Sequence, residues 1–524
     1  MISKKSQRQQ PHFFPLELIL KNTYSILVVL AAALLPLASP RSGQAEEPQT
    51  SSQPNVLFIA IDDMNDWVGF LGGHPQAKTP NMDRLAKRGV NFTNAHCIAP
   101  ACSPCRLGLL YGVEPHKSGL YPFYDQPKIQ DSVLKKYTSL PSHFRRHGYR
   151  AFGAGKIFHG SKAMPGDWDN YHKLTRAKLK YASEKGYQQG DSTKMAFCPT
   201  TNPLDDHPDY QVASYGMNVL QQKHEKPFFL AVGIVKPHLA FVCPQQFFDM
   251  HSGPIEKPLI QHRDLEDIPW AGRAMANLSD DYKFRSAEAW EKVHRAYLAC
   301  NSWADFNVGR VLEALEKSPH ADNTIVVLWS DHGYHQGEKR SFRKFSLWEE
   351  STRVPFIIYD PRPGKMKPGT CVEAVSLMNI YRTLADLTGI EPPAYVDGFS
   401  LANQIADPST SIPQPALTTW GRGNYSIRDD DWRYTRYFDG SEELYHHADD
   451  PQEWKNLADD ESLLEKKQQL ASYLPKTEAP IVTKGRALWN VIDADQPEKL
   501  KQFKSKTWPQ MKKKLKPAIE KSTK

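Results

Sequence analysis

The run Asn55-Val-Leu-Phe-Ile-Ala-Ile61 is apolar without alternation. That pattern predicts a strand covered on both faces, because a half-exposed strand would alternate. Phe228–Val235, Thr324–Ser330 and Pro355–Tyr359 read the same way. Helical patterns lie between them. Thr79-Pro80 predicts one helix start, with proline at the first helical position and Gly89 as its stop. A longer helix is predicted from about Ser286 to Leu315, where Trp290, Val293, Tyr297, Trp303, Val308, Val311 and Leu315 fall near helical spacing. Strands alternating with helices define an α/β fold: a large, mostly parallel sheet sandwiched by helices.

Beyond this region the pattern changes. Residues 402–416 are rich in proline and small polar residues and read as a linker. Tyr425–Arg428 and Trp432–Phe438 alternate like antiparallel strands, and Glu442–Asn456 reads as turn-rich. Together they predict a small C-terminal α+β subdomain. The expected division is residues 55–401 as a catalytic domain, 402–416 as linker, 417–496 as subdomain and 497–524 as a Lys-rich tail. At the other end, Lys4, Lys5, Arg8 and Lys21 precede an apolar run from Ile26 to Ala38, and Gly43-Gln44-Ala45 follows. This is the pattern of a signal peptide spanning residues 1–45, with 46–54 as linker. The run falls short of the roughly 20 residues of a bilayer span. No cysteine follows it closely enough for a lipid anchor. The expectation is a periplasmic or secreted protein with no stable membrane anchor once the signal is cleaved.

Charge adds one asymmetry. The formal net charge is +7, yet residues 499–524 carry ten Lys and one Glu, which leaves the rest at −2. Such a tail is either a solvated face or a hold on a polyanion. No nucleic-acid-binding module is evident, so nucleic acid is not an expected partner. The seven cysteines, 97, 102, 105, 198, 243, 300 and 371, are too few for a disulfide scaffold in 524 residues.

The chemistry gathers where strands end. Asp62-Asp63 directly follow the first apolar run, and Asp331-His332 follow Thr324–Ser330. In open α/β sheets ligands bind beyond the carboxyl ends of strands, so these pairs can converge on one cation. Oxygen donors suit Ca²⁺ or Mg²⁺, and the histidine admits a transition metal. Either pair alone would serve equally as a helix N-cap. Gly148–Gly155 leads into Lys156-Ile-Phe-His159, the run Phe228–Val235 ends in Lys236-Pro237-His238, and Arg343-Lys344 lies soon after Asp331. Fixed cations and a metal suit an anionic transition state, and histidine suits proton transfer near neutral pH. The segment Cys102-Ser-Pro-Cys-Arg106 fits C-x-x-C, a redox or zinc motif, and also C-x-P-x-R. No second Cys or His pair at matching spacing supports zinc.

This ordered set resembles the formylglycine-dependent sulfatases: Asp62-Asp63, Cys102-x-Pro-x-Arg106, Gly155-Lys156-x-x-His159, Lys236-Pro-His238, Asp331-His332-Gly333 and Lys344. Thr79-Pro-Asn-Met-Asp-Arg-Leu-Ala86 and Glu443–Ala458 add to the likeness, which covers roughly Asn55 to Ala458. It is most similar to the iduronate 2-sulfatase branch. The resemblance implies an alkaline-phosphatase-like fold and a formylglycine formed from Cys102 by a formylglycine-generating or maturase enzyme. It implies Asp62, Asp63, Asp331 and His332, with residue 102, as ligands of a metal, Ca²⁺ ahead of Mg²⁺. Arg106 and Lys156 would steady the aldehyde hydrate, and Lys156 and Lys344 would bind sulfate oxygens. His238 would protonate the leaving alcohol and His159 would deprotonate the second hydroxyl. Two positions depart from the family: Cys105 stands where Ser is common, and Tyr111-Gly112-Val113 where Thr-Gly-Arg or Thr-Gly-Lys is common. The implied function is hydrolysis of sulfate esters on a carbohydrate. The competing readings are a phosphate or phosphonate monoester hydrolase and a sulfated-glycan-binding protein without turnover. Trp67, His74, His116 and Trp168 read as pocket lining, as core or as surface residues.

Overall fold

Asn55–Ile61 forms strand β1 in the computed structural model and is buried along its whole length. Its side chains alternate between two apolar layers. Val56, Phe58 and Ala60 enter one, and Leu57, Ile59 and Ile61 the other. That is why its sequence shows no polar position from Val56 to Ile61. Each fully buried Leu, Ile or Phe there contributes on the order of 1.5–3 kcal/mol. The structure describes residues 53–121, 133–159, 166–175, 178–181, 196–286, 289–482 and 492–513. The expected signal peptide, most of the 46–54 linker and the last part of the Lys-rich tail lie outside the described residues.

Seven further strands complete the main sheet: β2 (Val90–Phe92), β3 (Arg150–Gly155), β4 (Asn170–His172), β5 (Phe228–Ile234), β6 (Thr324–Ser330), β7 (Phe356–Tyr359) and β8 (Gly369–Cys371). Their spatial order is β8-β2-β7-β6-β1-β5-β3-β4. Strand β1 pairs in parallel with β5, Val56 opposite Phe229, and with β6, Asn55 opposite Thr324. The four apolar runs thus lie at or beside the sheet centre. Strand β7 is antiparallel to both β6 and β2. The connection 331–355 does not cross the sheet, because Ser330 N–H donates to Pro355 O at 3.1 Å. β7 therefore starts beside the end of β6 and must run back.

Helices cover both faces. α1 (Pro80–Arg88), α3 (Pro208–Leu220) and α4 (Trp290–Glu316) pack on the Leu57 side through Leu85, Val212, Val308 and Leu315. α2 (Cys102–Tyr111) and α5 (Asn379–Thr388) pack on the Phe58 side through Leu109 and Leu384. α4 begins at Trp290 rather than near Ser286, because Leu278–Ser286 is a separate helix.

A four-stranded antiparallel sheet follows, β9 (Ala416–Thr419), β10 (Tyr425–Arg428), β11 (Trp432–Arg436) and β12 (Glu442–His446), in that order. Strand β12 lies where the sequence reads as turn-rich. Its alternation is broken by Glu443, which is buried and accepts from Trp348 Nε1, Tyr437 OH and Tyr445 OH at 2.6–2.8 Å. Within the expected 402–416 linker, Ala402–Ala406 is helical and Ile405 is buried in the main core. Trp67, His74, His116 and Trp168 pack internally: the Trp67 and His74 rings are 4.3 Å apart, Trp168 lies against Phe229 and His116 against Tyr425.

Candidate active site

Asp62 and Asp63 continue β1 beyond its carboxyl end and are buried. Asp63 has φ +65°, a left-handed conformation that costs a non-glycine residue free energy and that clusters at functional sites. It is held there from two sides. Its N–H donates to Asp331 Oδ1 at 3.2 Å, and its carbonyl accepts from Tyr297 OH at 2.8 Å. Asp331 and His332 continue β6, the neighbour of β1. The two acidic pairs therefore meet because their strands pair.

Cys102 is the first residue of α2, after an extended Ala101, and is 1% exposed. Pro104 falls in the first turn, where its missing N–H has no intrahelical partner to lose. Cys102 Sγ lies 3.3 Å from His332 Nε2, 3.3 Å from Lys344 Nζ and 3.9 Å from Asp63 Oδ1. Cys105 points into the core instead, and burial pushes its thiol well above the usual range. Hence the Cys102-x-x-Cys105 spacing does not form a paired redox or metal motif. Tyr111 ends α2 and Val113 follows it; both are buried, about 15 Å of helix from Cys102.

Arg106, one turn on, is fully buried. Its Nε donates to Asp331 Oδ2 at 2.7 Å, its Nη1 to the Lys156 and Ile157 carbonyls at 2.5 and 3.0 Å, and its Nη2 to Ile61 O at 3.2 Å. One guanidinium thus ties α2 to the ends of β1, β3 and β6. Lys156 follows β3, where Gly155 takes φ +77°; a Cβ at Gly155 would sit 2.1 Å from Gly233 O, so the strand ends close up only with glycine. Lys156 Nζ donates to Asp62 Oδ2. Lys344 Nζ donates to Asp63 Oδ1. Lys344 stands between Arg343 at φ +128° and Phe345 at φ +83°; the first is paired with Asp280, and the second donates its N–H to Pro100 O at 3.1 Å.

The histidines have defined faces. His332 Nδ1 faces Gly333 O at 3.0 Å and His238 Nδ1 faces Leu239 O at 2.6 Å, so Nδ1 carries the proton in both and Nε2 is left toward the site. His332 Nε2 is 3.3 Å from Asp63 Oδ1. The His238 side chain is 34% exposed, and its Nε2 lies 3.9 Å from Asp63 Oδ2. His159 ends the Lys156 turn. Burial, reinforced by Lys156, lowers its pKa to about 3.

Electrostatics follow from the crowding. Burial opposes every charge here, but Lys156, His238 and Arg106 hold the Asp62 carboxyl well below its usual value, and His238 and Lys344 hold Asp63 at about 2. Burial also opposes the charges on Lys156 and Lys344, yet the carboxylates keep both above the usual ammonium value. One oxygen is left over: Asp62 Oδ1 is buried without a hydrogen-bond partner, with Arg106 Nη2 3.6 Å away. Ligand atoms of Asp62, Cys102, Asp331 and His332 lie within 4.8 Å of one another, as do those of Asp62, Asp63, Cys102 and His238. An orphaned carboxylate oxygen inside such a donor set fits a hard cation.

All ten residues singled out in the sequence lie in or around this cluster. Two further contributors were missed. Tyr297, in the middle of α4, falls at an apolar position of the helical spacing, although a buried tyrosine hydroxyl usually has a partner. Asp209, in the first turn of α3, accepts Val235 N–H at 2.7 Å and Lys236 N–H at 3.1 Å, and so fixes the segment that carries His238.

This chain belongs to the sulfatase family. The family model described as Sulfatase matches residues 54–390, and that described as N-sulphoglucosamine sulphohydrolase, C-terminal, matches 337–480. It is thus a sulfuric ester hydrolase of the alkaline-phosphatase-like fold. It is 35% identical to a sulfatase of Formosa agariphila over 88% of this chain and 93% of that one. Human iduronate 2-sulfatase is 28% identical over 70% of this chain and 74% of that one. The solved phosphonate monoester hydrolase of Agrobacterium radiobacter superposes with a TM-score of 0.66 at 20% identity, over 80% and 94% of the two chains, a likeness of fold. Among the described residues no helix is long and apolar enough to cross a membrane.

Proposed function

We propose that this chain is an exported sulfatase that hydrolyses sulfate esters on a carbohydrate, a sulfated polysaccharide or its oligosaccharides, with residue 102 acting in its formylglycine form. The observation that carries this reading is the convergence on Cys102 Sγ of His332, Lys344 and Asp63, within one buried cluster. The likeness to human iduronate 2-sulfatase supports a sulfated sugar as the substrate class. The positive and apolar segments before residue 45 support export. Because Cys102 is buried in the folded chain, a maturation enzyme would reach it before folding is complete.

Asp62, Asp63, Asp331 and His332 would hold a Ca²⁺ ion beside residue 102, and that ion would supply Lewis-acid stabilisation of charge on the sulfate oxygens. A formylglycine hydrate at 102 would supply two geminal hydroxyls, one to attack sulfur and one to expel sulfate. The remaining work belongs to the protein's own side chains. Lys156 and Lys344, both kept charged, take up the sulfate oxygens and lower the cost of the spreading negative charge. Arg106 keeps the start of α2 aligned with the strand ends. His238, with Nδ1 fixed on Leu239 O, carries and releases a proton at Nε2 toward the leaving alcohol. His159 is neutral at neutral pH, the form that accepts a proton from the second hydroxyl.

Matched aryl sulfate and aryl phosphate or phosphonate monoesters test the reading. Faster turnover of the sulfate supports it. Preference for the phosphorus ester would move the chain to the phosphonate hydrolase class. Retention of a sulfated polymer without turnover of any ester would make it a glycan-binding protein.

A further inference from the structure

The described chain ends in a basic helical segment from Glu498 to Lys513, whose middle turn, Phe503–Thr507, is π-helical. From residue 499 to 513 it carries six lysines and no acidic residue. Lys501, Lys504, Lys506, Lys512 and Lys513 are exposed. Lys504 lies over the Trp270 ring at 5.7 Å, and Lys512 acts electrostatically on the exposed Glu266. A solvated basic tail would have no reason to be held in place. This one is anchored: Leu500 and Phe503 are buried against Ala274 and Ile492, with Trp270 and Trp508 packed beside them. The Trp270 and Trp508 rings meet edge to face at 5.8 Å, and Arg273 lies over both.

The anchorage leads toward the catalytic cluster. Trp508 and Met511 pack on an apolar layer that also contains Ala101 and Phe345. Ala101 immediately precedes Cys102, and Phe345 immediately follows Lys344. The lysine-bearing segment thus stands on the layer that supports two groups of the site, on a chain whose remainder is nearly neutral.

We infer that this segment is an exosite for a linear sulfated polysaccharide, gripping the polymer by its repeated anionic groups while one ester occupies the catalytic cluster. The inference rests on the proposed carbohydrate substrate. Exposed lysines on an anchored segment gain most from a partner that offers many anions at once, because each further contact is made without a new loss of translational freedom. A monosaccharide sulfate offers one anion and has nothing to gain from the segment.

The test replaces Lys501, Lys504, Lys506, Lys512 and Lys513 together by glutamine in the full-length enzyme. Two readouts are taken: binding to a sulfated polysaccharide such as heparin across a salt series, and turnover of a small aryl sulfate. The expected result is binding weakened about ten-fold or more at low salt, with a shallower salt dependence, and unchanged aryl sulfate turnover at an unchanged melting temperature. Polymer binding equal to that of the parent at every salt concentration would overturn the exosite. So would equally tight binding of DNA or of anionic vesicles by the parent, since the surface would then not be matched to a sulfated glycan. Binding is read without turnover, so an enzyme inactive on every sulfate ester would sink the proposed function while leaving the exosite measurable.

Discussion

Tyr297 OH donates to the Asp63 carbonyl at 2.8 Å while accepting Asn65 N–H at 3.0 Å. A hydroxyl in the middle of α4 therefore clasps the turn that places Asp63 in its left-handed conformation. Tyr297→Phe removes the clasp at almost constant volume and leaves two buried backbone groups without a partner. The expected loss is about 1–3 kcal/mol of stability. If the proposed cation site is right, affinity for Ca²⁺ measured by calorimetry should also fall at least about ten-fold, as expected of a residue that orients metal ligands. A purely structural role would lower the melting temperature and leave calcium affinity alone.

Arg106 joins three strand ends through its bonds to Asp331, Ile61, Lys156 and Ile157. Arg106→Gln leaves Asp331 and Asp62 without that charge inside a closed site. Breaking a buried pair from one side costs about 3–5 kcal/mol. Denaturant unfolding should show that loss, and Arg106→Lys should recover little of it, because an ammonium cannot reproduce the fork of donors.

His238 can be separated from the rest by leaving-group dependence. His238→Ala should slow hydrolysis of an alkyl or sugar sulfate by about 10²–10⁴-fold, the usual reach of general acid catalysis. An activated aryl sulfate, whose leaving group needs little protonation, should lose far less. Equal losses on both would remove His238 from the acid role.

Much of this was written plainly in the chain, and some of it was not. β1 and β6 were legible to the residue, since the interior of a strand buried on both faces has to be apolar. Because Asp62-Asp63 and Asp331-His332 sit directly at those ends, most of the candidate cation cluster came with them. Strand direction was not legible for β7, as an apolar run is the same read either way and only the Ser330–Pro355 contact turns it back. β12 was hidden by Glu443, a buried acid that looks like a surface residue until its three donors are known. Tyr297 escaped for a related reason. Helical spacing marks it as buried, but not that its hydroxyl points back at a strand end.

A second buried cluster contributes to the acid sensitivity of the fold. Arg433 on β11 reaches Glu349 and Glu453, with Arg433 Nε 2.5 Å from Glu453 Oε1, and His447 lies 3.1 Å from the same oxygen. Burial opposes the Glu453 charge, but Arg433 and His447 outweigh it and hold the carboxyl at about 2, against 4.5 for a free one. The unfolded chain takes up this proton near pH 4.5 while the folded chain does not. The stability Glu453 confers is therefore complete above about 4.5 and lost as pH falls toward 2. Glu453→Gln should lower the melting temperature at neutral pH and flatten the decline between pH 4.5 and 2. A parallel decline in parent and variant would place the acid sensitivity elsewhere.

The central claim is that residue 102 is the nucleophile in oxidised form, and the mass of its peptide tests it most directly. In active enzyme, made in a host that has a sulfatase-maturing enzyme, the peptide containing residue 102 should be about 18 Da lighter than its cysteine form, the change from thiol to aldehyde. Activity across preparations should rise in proportion to the lighter species. Full activity in a preparation whose Cys102 peptide keeps the thiol mass would contradict the account.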